Sequence, residues 1–310
     1  MSLDPEDMSN NAVCPLCQHS ESTVQNTFEV ANLIQEWIKS FGINIQEEMS
    51  NVSRFHLYRC ATCSLGFFKP ESLAGSPALY EALQKFDWYY MPRKWEHDIA
   101  LLDMHGCRKG IEIGCGSGDF VKRVLDDKKI SFEGCEQNPS AVQAARRKGL
   151  RVYLESAENL AQLYPGSYDV VCSFQVLEHV DQPSAFLTAS SRLLRPGGKL
   201  LLGLPNAQSF LRHQFNLLDL PPHHMTRWTD KVLTHLERWY PIKLVHIRYE
   251  PLADYHVDGY VGSYMSLLAT RGLSALTMER VRFSIAHLIR LLGIQKVLRG
   301  QSIYACYLRV

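Results

Sequence analysis

Between Lys109 and Asn206, short apolar runs alternate with segments of helical spacing. "GIEIGCG", "SFEGCE", "RVYLES", "YDVVCSFQ" and "KLLLGLPN" read as strands, whereas "DFVKRVLDDK", "NPSAVQAARRKG" and "PSAFLTASSRLLRPGG" read as helices. Strands joined through helices cannot pair as hairpins, so they lie parallel, with helices covering both faces of the sheet. The sequence therefore predicts an α/β fold, a doubly wound and mostly parallel sheet. Ligands of such sheets bind at the carboxyl ends of the strands.

The first of these strands runs into "IEIGCGSGDF", Ile111 to Phe120. Glycine at 114, 116 and 118 strips the β-carbons from the turn, so backbone amides can approach a ligand closely. About twenty residues on, Glu136 closes the second strand, where a carboxylate can accept hydrogen bonds from ribose hydroxyls. Together they imply an adenosine-type cofactor. A phosphate would favour a helix N-terminus free of negative charge, yet Asp119 follows the third glycine and Glu112 precedes the first. Two carboxylates there suit an ammonium and a sulfonium, the charges of S-adenosylmethionine. Asp119 alone also suits the helix dipole.

"EIGCGSGDF", Glu136, "YDVVCSFQVLEHV" and "LRPGGKLLLGLPN" resemble, in order and spacing, the motifs of class I S-adenosylmethionine-dependent methyltransferases over roughly residues 80–310. That resemblance implies a Rossmann-like, seven-stranded sheet. It sets Gly114, Gly116 and Gly118 along the methionine portion and Glu136, with neighbouring Gln137, at the ribose. Ala157 would lie beside the adenine, and the Gln175 backbone near the reacting methyl. Where the family often has Asp, "ESAENL" has Ser156, a weaker acceptor for the adenine amino group. With a cysteine module first and "FDWYYMPRKWEHD" as a linker helix, the whole chain is similar to bacterial small-molecule methyltransferases that carry an N-terminal zinc-binding module. Some of these act on sugars or secondary-metabolite intermediates.

Methyl transfer is an in-line displacement, so positioning supplies most of the acceleration. A base is needed only where the acceptor loses a proton. Two stretches offer one. "QVLEHVDQP" resembles the segment that, in the quinone-biosynthesis O-methyltransferase branch, gives two glutamates and a histidine to a divalent metal. This chain keeps Glu178 and His179 but has Gln175 at the first position, so one anionic ligand is missing. The alternative is that Glu178 and His179 cap and orient the following helix. "LPPHHMTRWT" presents His223 and His224 in a proline-stiffened loop, and either is expected as the general base. The bland reading is a loop histidine that caps the next helix through Thr229 or bonds a backbone carbonyl. Phe86, Trp88, Tyr89, Tyr90 and Trp95 form an aromatic stripe that reads as packing, with Tyr89 and Tyr90 as candidates for a lid.

Of nine cysteines, Cys107, Cys115, Cys135, Cys172 and Cys306 are scattered through apolar segments and read as small core residues of a reducing compartment. Cys14 and Cys17, in "CPLC", and Cys60 and Cys63, in "CATC", are two knuckles that supply the four soft ligands of tetrahedral zinc. Four thiolates leave no open position, so such a metal is structural. Residues 18–59 exceed the usual spacer. "FEVANLIQEWIKSFGINI" fills it, and its apolar positions Val30, Leu33, Ile34, Trp37, Ile38 and Phe41 recur at helical spacing. The expected organisation is a zinc ribbon with a helical insertion over 12–70, followed by a methyltransferase domain over 76–310.

Lys plus Arg total 33 against 32 Asp plus Glu, so no global field draws the protein to nucleic acid or an anionic membrane. RNA methylation through the zinc module would need a basic stripe, and residues 12–69 hold four Lys or Arg (39, 54, 59, 69) against five Glu (21, 29, 36, 47, 48). A cofactor-binding protein without catalysis is the third reading, disfavoured by the intact glycine loop. There is no apolar run long enough to span a membrane and no signal-peptide pattern at the start, which predicts a cytoplasmic protein with a small-molecule acceptor. "IKLVHIRYEPL" and "SIYACYLRV" read as a terminal antiparallel hairpin. Between them, about 258–299 form a helical insertion whose apolar positions Val281, Ile285, Leu288, Ile289 and Leu292 predict a face that packs over the site or against a second subunit.

Overall fold

The computed structural model describes residues 12–86, 88–89, 91–128, 130–269 and 275–310; Tyr90 lies outside them, as does the polar segment before residue 12. The amino-terminal part is a small antiparallel sheet of β1 (Ser22–Glu29), β2 (Arg54–Cys60) and β3 (Gly66–Lys69). Helix α1 (Val30–Phe41) interrupts it between β1 and β2, as the apolar spacing predicts, and buries Val30, Leu33 and Trp37. Gly42 ends the helix at φ +67°, where a β-carbon is disfavoured.

Helices α2 (Pro77–Leu83) and α3 (Trp95–Asp103) lead into the main domain. The expected linker helix over "FDWYYMPRKWEHD" is shorter than predicted. Its helical part begins only at Trp95, because Pro92 cannot donate to a helical ladder and biases Met91 away from helical geometry.

The main sheet follows: β4 (Lys109–Ile113), α4 (Asp119–Lys128), β5 (Ser131–Glu136), α5 (Pro139–Arg147), β6 (Val152–Leu154), α6 (Ala157–Leu163), β7 (Tyr168–Phe174), α7 (Pro183–Leu193) and β8 (Leu194–Pro205). After β9 (Thr226–Arg227) and α8 (Asp230–His235) come β10 (Ile242–Pro251), helices α9 (Val257–Ala269) and α10 (Ala275–Leu291), and β11 (Arg299–Arg309). The seven strands run in the order β10-β11-β8-β7-β4-β5-β6. Strands β4 to β8 are parallel, and β11 inserts antiparallel between β8 and β10. Chain order reverses at β4, whose neighbours are β5 and β7. That is where such a sheet opens a crevice.

Two expectations change. The amino-terminal module is not closed at residue 70: its fourth strand is β9, paired with β3 through Gly66–Arg227 and Phe67–Thr226. One apolar core runs through both sheets and joins Leu16, Cys63 and Phe67 to Trp228, Leu200 and Tyr307. In the 257–291 helical pair, only Ile289 of the predicted apolar face is buried, packed with Ala286 against Phe210, Val257 and Val261. Val281, Ile285, Leu288 and Leu292 are exposed. The periodicity was real but marked a stripe wider than the contact, since short α9 covers one edge of it.

Candidate active site

A cavity of about 970 Å³ opens over the carboxyl ends of β4, β5, β7 and β8, large enough for a nucleoside cofactor and a small acceptor. Its first end is built from backbone. Gly114 lines it at φ +74°, and a β-carbon there would stand 2.4 Å from Val176 Cγ2. Gly118 also has positive φ, but its absent β-carbon makes room for Leu150, so it packs the loop against α5 and the turn that follows it and is not among the cavity-lining residues. The Gly116 amide donates to Glu136 Oε2 at 2.9 Å, and the Gln137 and Asn138 amides donate to Oε1 at 2.8 and 2.9 Å. Glu136 is thereby fixed at the cavity edge with lone pairs to spare.

The charges at this end differ from the sequence reading. Asp119 turns outward and is held by Lys148 Nζ at 2.6 Å and Ser117 Oγ at 2.7 Å, which depress its pKa despite partial burial. Glu112 is buried below the loop, where desolvation raises its pKa to about 8; its Oε2 has no partner. Neither side chain is among the residues that line the cavity. Ser156 is spent as the cap of α6, where its Oγ accepts from the Asn159 amide at 3.2 Å. Glu155 and Glu158, on either side, line the cavity beside Ala157 and were missed. So was Asn138. Its Oδ1 caps α5, while its buried Nδ2, on a cavity-lining residue, has no hydrogen-bond partner.

Between the two ends, Gln175 takes φ +57° at the tip of β7, a strained conformation of the kind found at functional sites. Its Nε2 donates to Glu96 Oε1 at 2.9 Å.

The other end is built from side chains. His179 follows β7, and His223 and His224 come from the loop before β9; the three rings stand with centroids 4.5 to 4.9 Å apart. His179 Nδ1 meets the His223 carbonyl at 2.6 Å, and His223 Nδ1 meets the Leu218 carbonyl at 2.8 Å. A carbonyl only accepts, so both Nδ1 atoms carry the proton and both Nε2 atoms are lone pairs. The Tyr89 hydroxyl donates to His223 Nε2 at 3.0 Å. Burial holds all three histidines below their ordinary pKa, His179 at about 4, and raises Glu178 to about 8. Both Glu178 carboxylate oxygens are buried with no hydrogen-bond partner. The aromatic stripe divides: Phe86 and Trp88 stack at 5.2 Å, while Tyr89 turns into the site.

Cys14, Cys17, Cys60 and Cys63 converge in the small sheet, with Sγ pairs Cys14–Cys63 and Cys17–Cys60 each at 3.5 Å. A tetrahedron of thiolates on zinc has edges of about 3.8 Å, so the donor set fits that ion. The Cys63 hydrogen bond draws the Cys14 thiol down to about 6.

The sheet order and the glycine bend beside its switch point define a Rossmann-like fold of the methyltransferase kind. Residues 111–202, β4 to β8, match the family profile described as a methyltransferase domain. Among curated proteins the chain is similar to the ubiquinone biosynthesis O-methyltransferases of Xanthomonas oryzae pv. oryzae (34% identical over 121 residues, 37% of this chain and 50% of that one) and Thiobacillus denitrificans (31% over 112 residues, 34% and 48%). The chain thus spans about half the length of the curated relatives it matches. A solved complex of the Haloferax volcanii Trm112 methyltransferase activator with a methyltransferase is similar at TM-score 0.49 and 18% identity, over 69% of this chain and 89% of that one. No helix among the described residues is long and apolar enough to cross a membrane.

Proposed function

We propose that the protein is an S-adenosylmethionine-dependent methyltransferase that methylates oxygen or carbon of a small molecule. The reading is carried by the unpaired, buried Asn138 Nδ2 beside Glu136 and the Gly114 bend, at one end of a cavity whose other end holds neutral imidazoles. It is supported by the profile match over 111–202 and by relatives named O-methyltransferases.

Bound, the cofactor supplies an electrophilic methyl on a sulfonium. Gly114 and Gln175 would flank its methionine arm. Glu136 and Asn138 would hold the ribose, with Ala157 and Glu158 at the adenine. His224, its ring nitrogens 3.5 Å from Asp219 and 4.0 Å from Glu178, or His223 would take the acceptor proton, and a neutral imidazole is the form that can. Tyr89 would close over the acceptor. The four-cysteine cluster would hold a structural zinc, and a reducing cytoplasm suits the nine free thiols.

Formation of S-adenosylhomocysteine across a panel of catechol, sugar and polyketide acceptors tests the reaction. Turnover with at least one of them is expected. Cofactor that binds and is never consumed with any acceptor would mark a binding protein instead. Elemental analysis tests the ribbon: wild type should carry zinc that Cys63→Ser loses.

A further inference from the structure

We propose that His179, His223, His224 and Glu178 form a binding site for a divalent transition-metal ion, separate from the four cysteines. One ligand atom from each of the three histidines lies within 4.8 Å of the others. Metal–nitrogen bonds of about 2.0 Å require about 3.3 Å between ligands in a tetrahedron, so an ion would draw the rings together and turn His223 and His224 out of their present stack, 4.5 Å apart with 23° between the planes.

The surroundings are those of a ligand set. A metal-bound histidine donates its other ring N–H to an oxygen, which fixes the tautomer and the ring. Here His179 Nδ1 has the His223 carbonyl at 2.6 Å, His223 Nδ1 has the Leu218 carbonyl at 2.8 Å, and His224 Nδ1 faces Asp219 Oδ1 at 3.5 Å. The opposite nitrogens, Nε2 of His179 and of His224, turn toward Glu178 Oε1 at 3.7 and 4.0 Å. Glu178 is 1% exposed, and neither of its oxygens has a hydrogen-bond partner. Glu178 therefore offers an unpartnered carboxyl group to the cluster, and no Lys or Arg pairs with it among the salt bridges of the described residues. Ion binding would exchange the Tyr89–His223 hydrogen bond for a metal–nitrogen bond.

This differs from the two-glutamate set implied by the quinone-branch resemblance. Gln175 at the first position is engaged with Glu96, and the loop histidines His223 and His224 supply the missing ligands. Three imidazoles and one carboxylate favour zinc, iron or cobalt over magnesium or calcium. The site lines the cavity, so the ion would lower the pKa of a bound acceptor hydroxyl, with His223 and His224 as ligands in place of a free base. That consequence rests on the methyl-transfer reading; the metal site does not.

Cobalt(II) titration of chelator-stripped protein tests it, because thiolate ligands give an intense sulfur-to-cobalt charge-transfer band and imidazole ligands do not. Wild type should bind a cobalt ion with weak d–d absorption and no charge-transfer band, in addition to any thiolate-bound ion. His224→Ala and Glu178→Gln should lose that ion. Any thiolate signal should persist, and an unchanged far-ultraviolet circular dichroism spectrum is the control for folding. Asp219→Asn, a conservative change outside the ligand set, should weaken cobalt binding about 10- to 100-fold. Wild type with only thiolate-bound cobalt or none, or variants that bind as wild type does, would overturn the site.

Discussion

The two ends of the cleft are made of different material. The cofactor end is mainly backbone: a glycine bend and three amides converging on one carboxylate. The histidine end is side chains from segments over forty residues apart, packed so that His179 and His223 each bond a backbone carbonyl through Nδ1 and keep a lone pair on Nε2. Backbone sites tolerate little change in shape, because a β-carbon has nowhere to go. Side-chain sites tolerate shape but not chemistry. Mutation should therefore separate them, with affinity moved at one end and turnover at the other.

The largest expected effect is at the histidine end. His223→Ala and His224→Ala should lower turnover about 100- to 10,000-fold and leave S-adenosylhomocysteine affinity within about twofold, by steady-state kinetics beside calorimetry. Full activity in both would retire the assignment. At the other end, Glu136→Ala strands three amides, so cofactor affinity should fall about 10- to 100-fold as two or more hydrogen bonds are lost. An unchanged dissociation constant would break the contrast.

A third change lies outside the cavity lining. His97 is buried against Phe120 and Phe174, and desolvation lowers its pKa from 6.5 to about 3. The unfolded chain takes up that proton near pH 6.5 and the native chain does not, so stability falls as pH drops from about 6.5 toward 3. His97→Phe should remove about 1.4 kcal/mol per pH unit from that slope in urea titrations at several pH values; a slope equal to wild type would show that His97 is solvated. The smallest effect belongs to Asn138→Asp. The cap on α5 survives through Oδ1, while the unpaired Nδ2 donor is replaced by a carboxylate oxygen beside Glu136. Cofactor affinity should drop about 3- to 10-fold with the melting temperature unchanged; a loss of stability instead would make Asn138 a capping residue alone.

The same contrast explains what could be read in advance. The alternation of strands and helices and the Gly114 bend were legible, because each is written in a short contiguous stretch. Asp119 was not, because Lys148, from the end of the next helix, decides where it points. Glu158 lines the cavity while Ser156 is taken up as the cap of α6. His179 and His223 were each visible, but their pairing depends on the His223 carbonyl, a contact made only once β9 joins the small sheet. The pairing of β9 with β3 could not be read in advance for the same reason, since a two-residue strand carries no periodicity.

Whether an adenosyl ligand fills the glycine end is decided by calorimetry of the purified chain with S-adenosylhomocysteine. One site per chain with a micromolar dissociation constant is expected, weakened by Glu136→Ala. Absence of heat at high micromolar ligand, or equal binding of a nucleoside diphosphate, would contradict the assignment of this cleft.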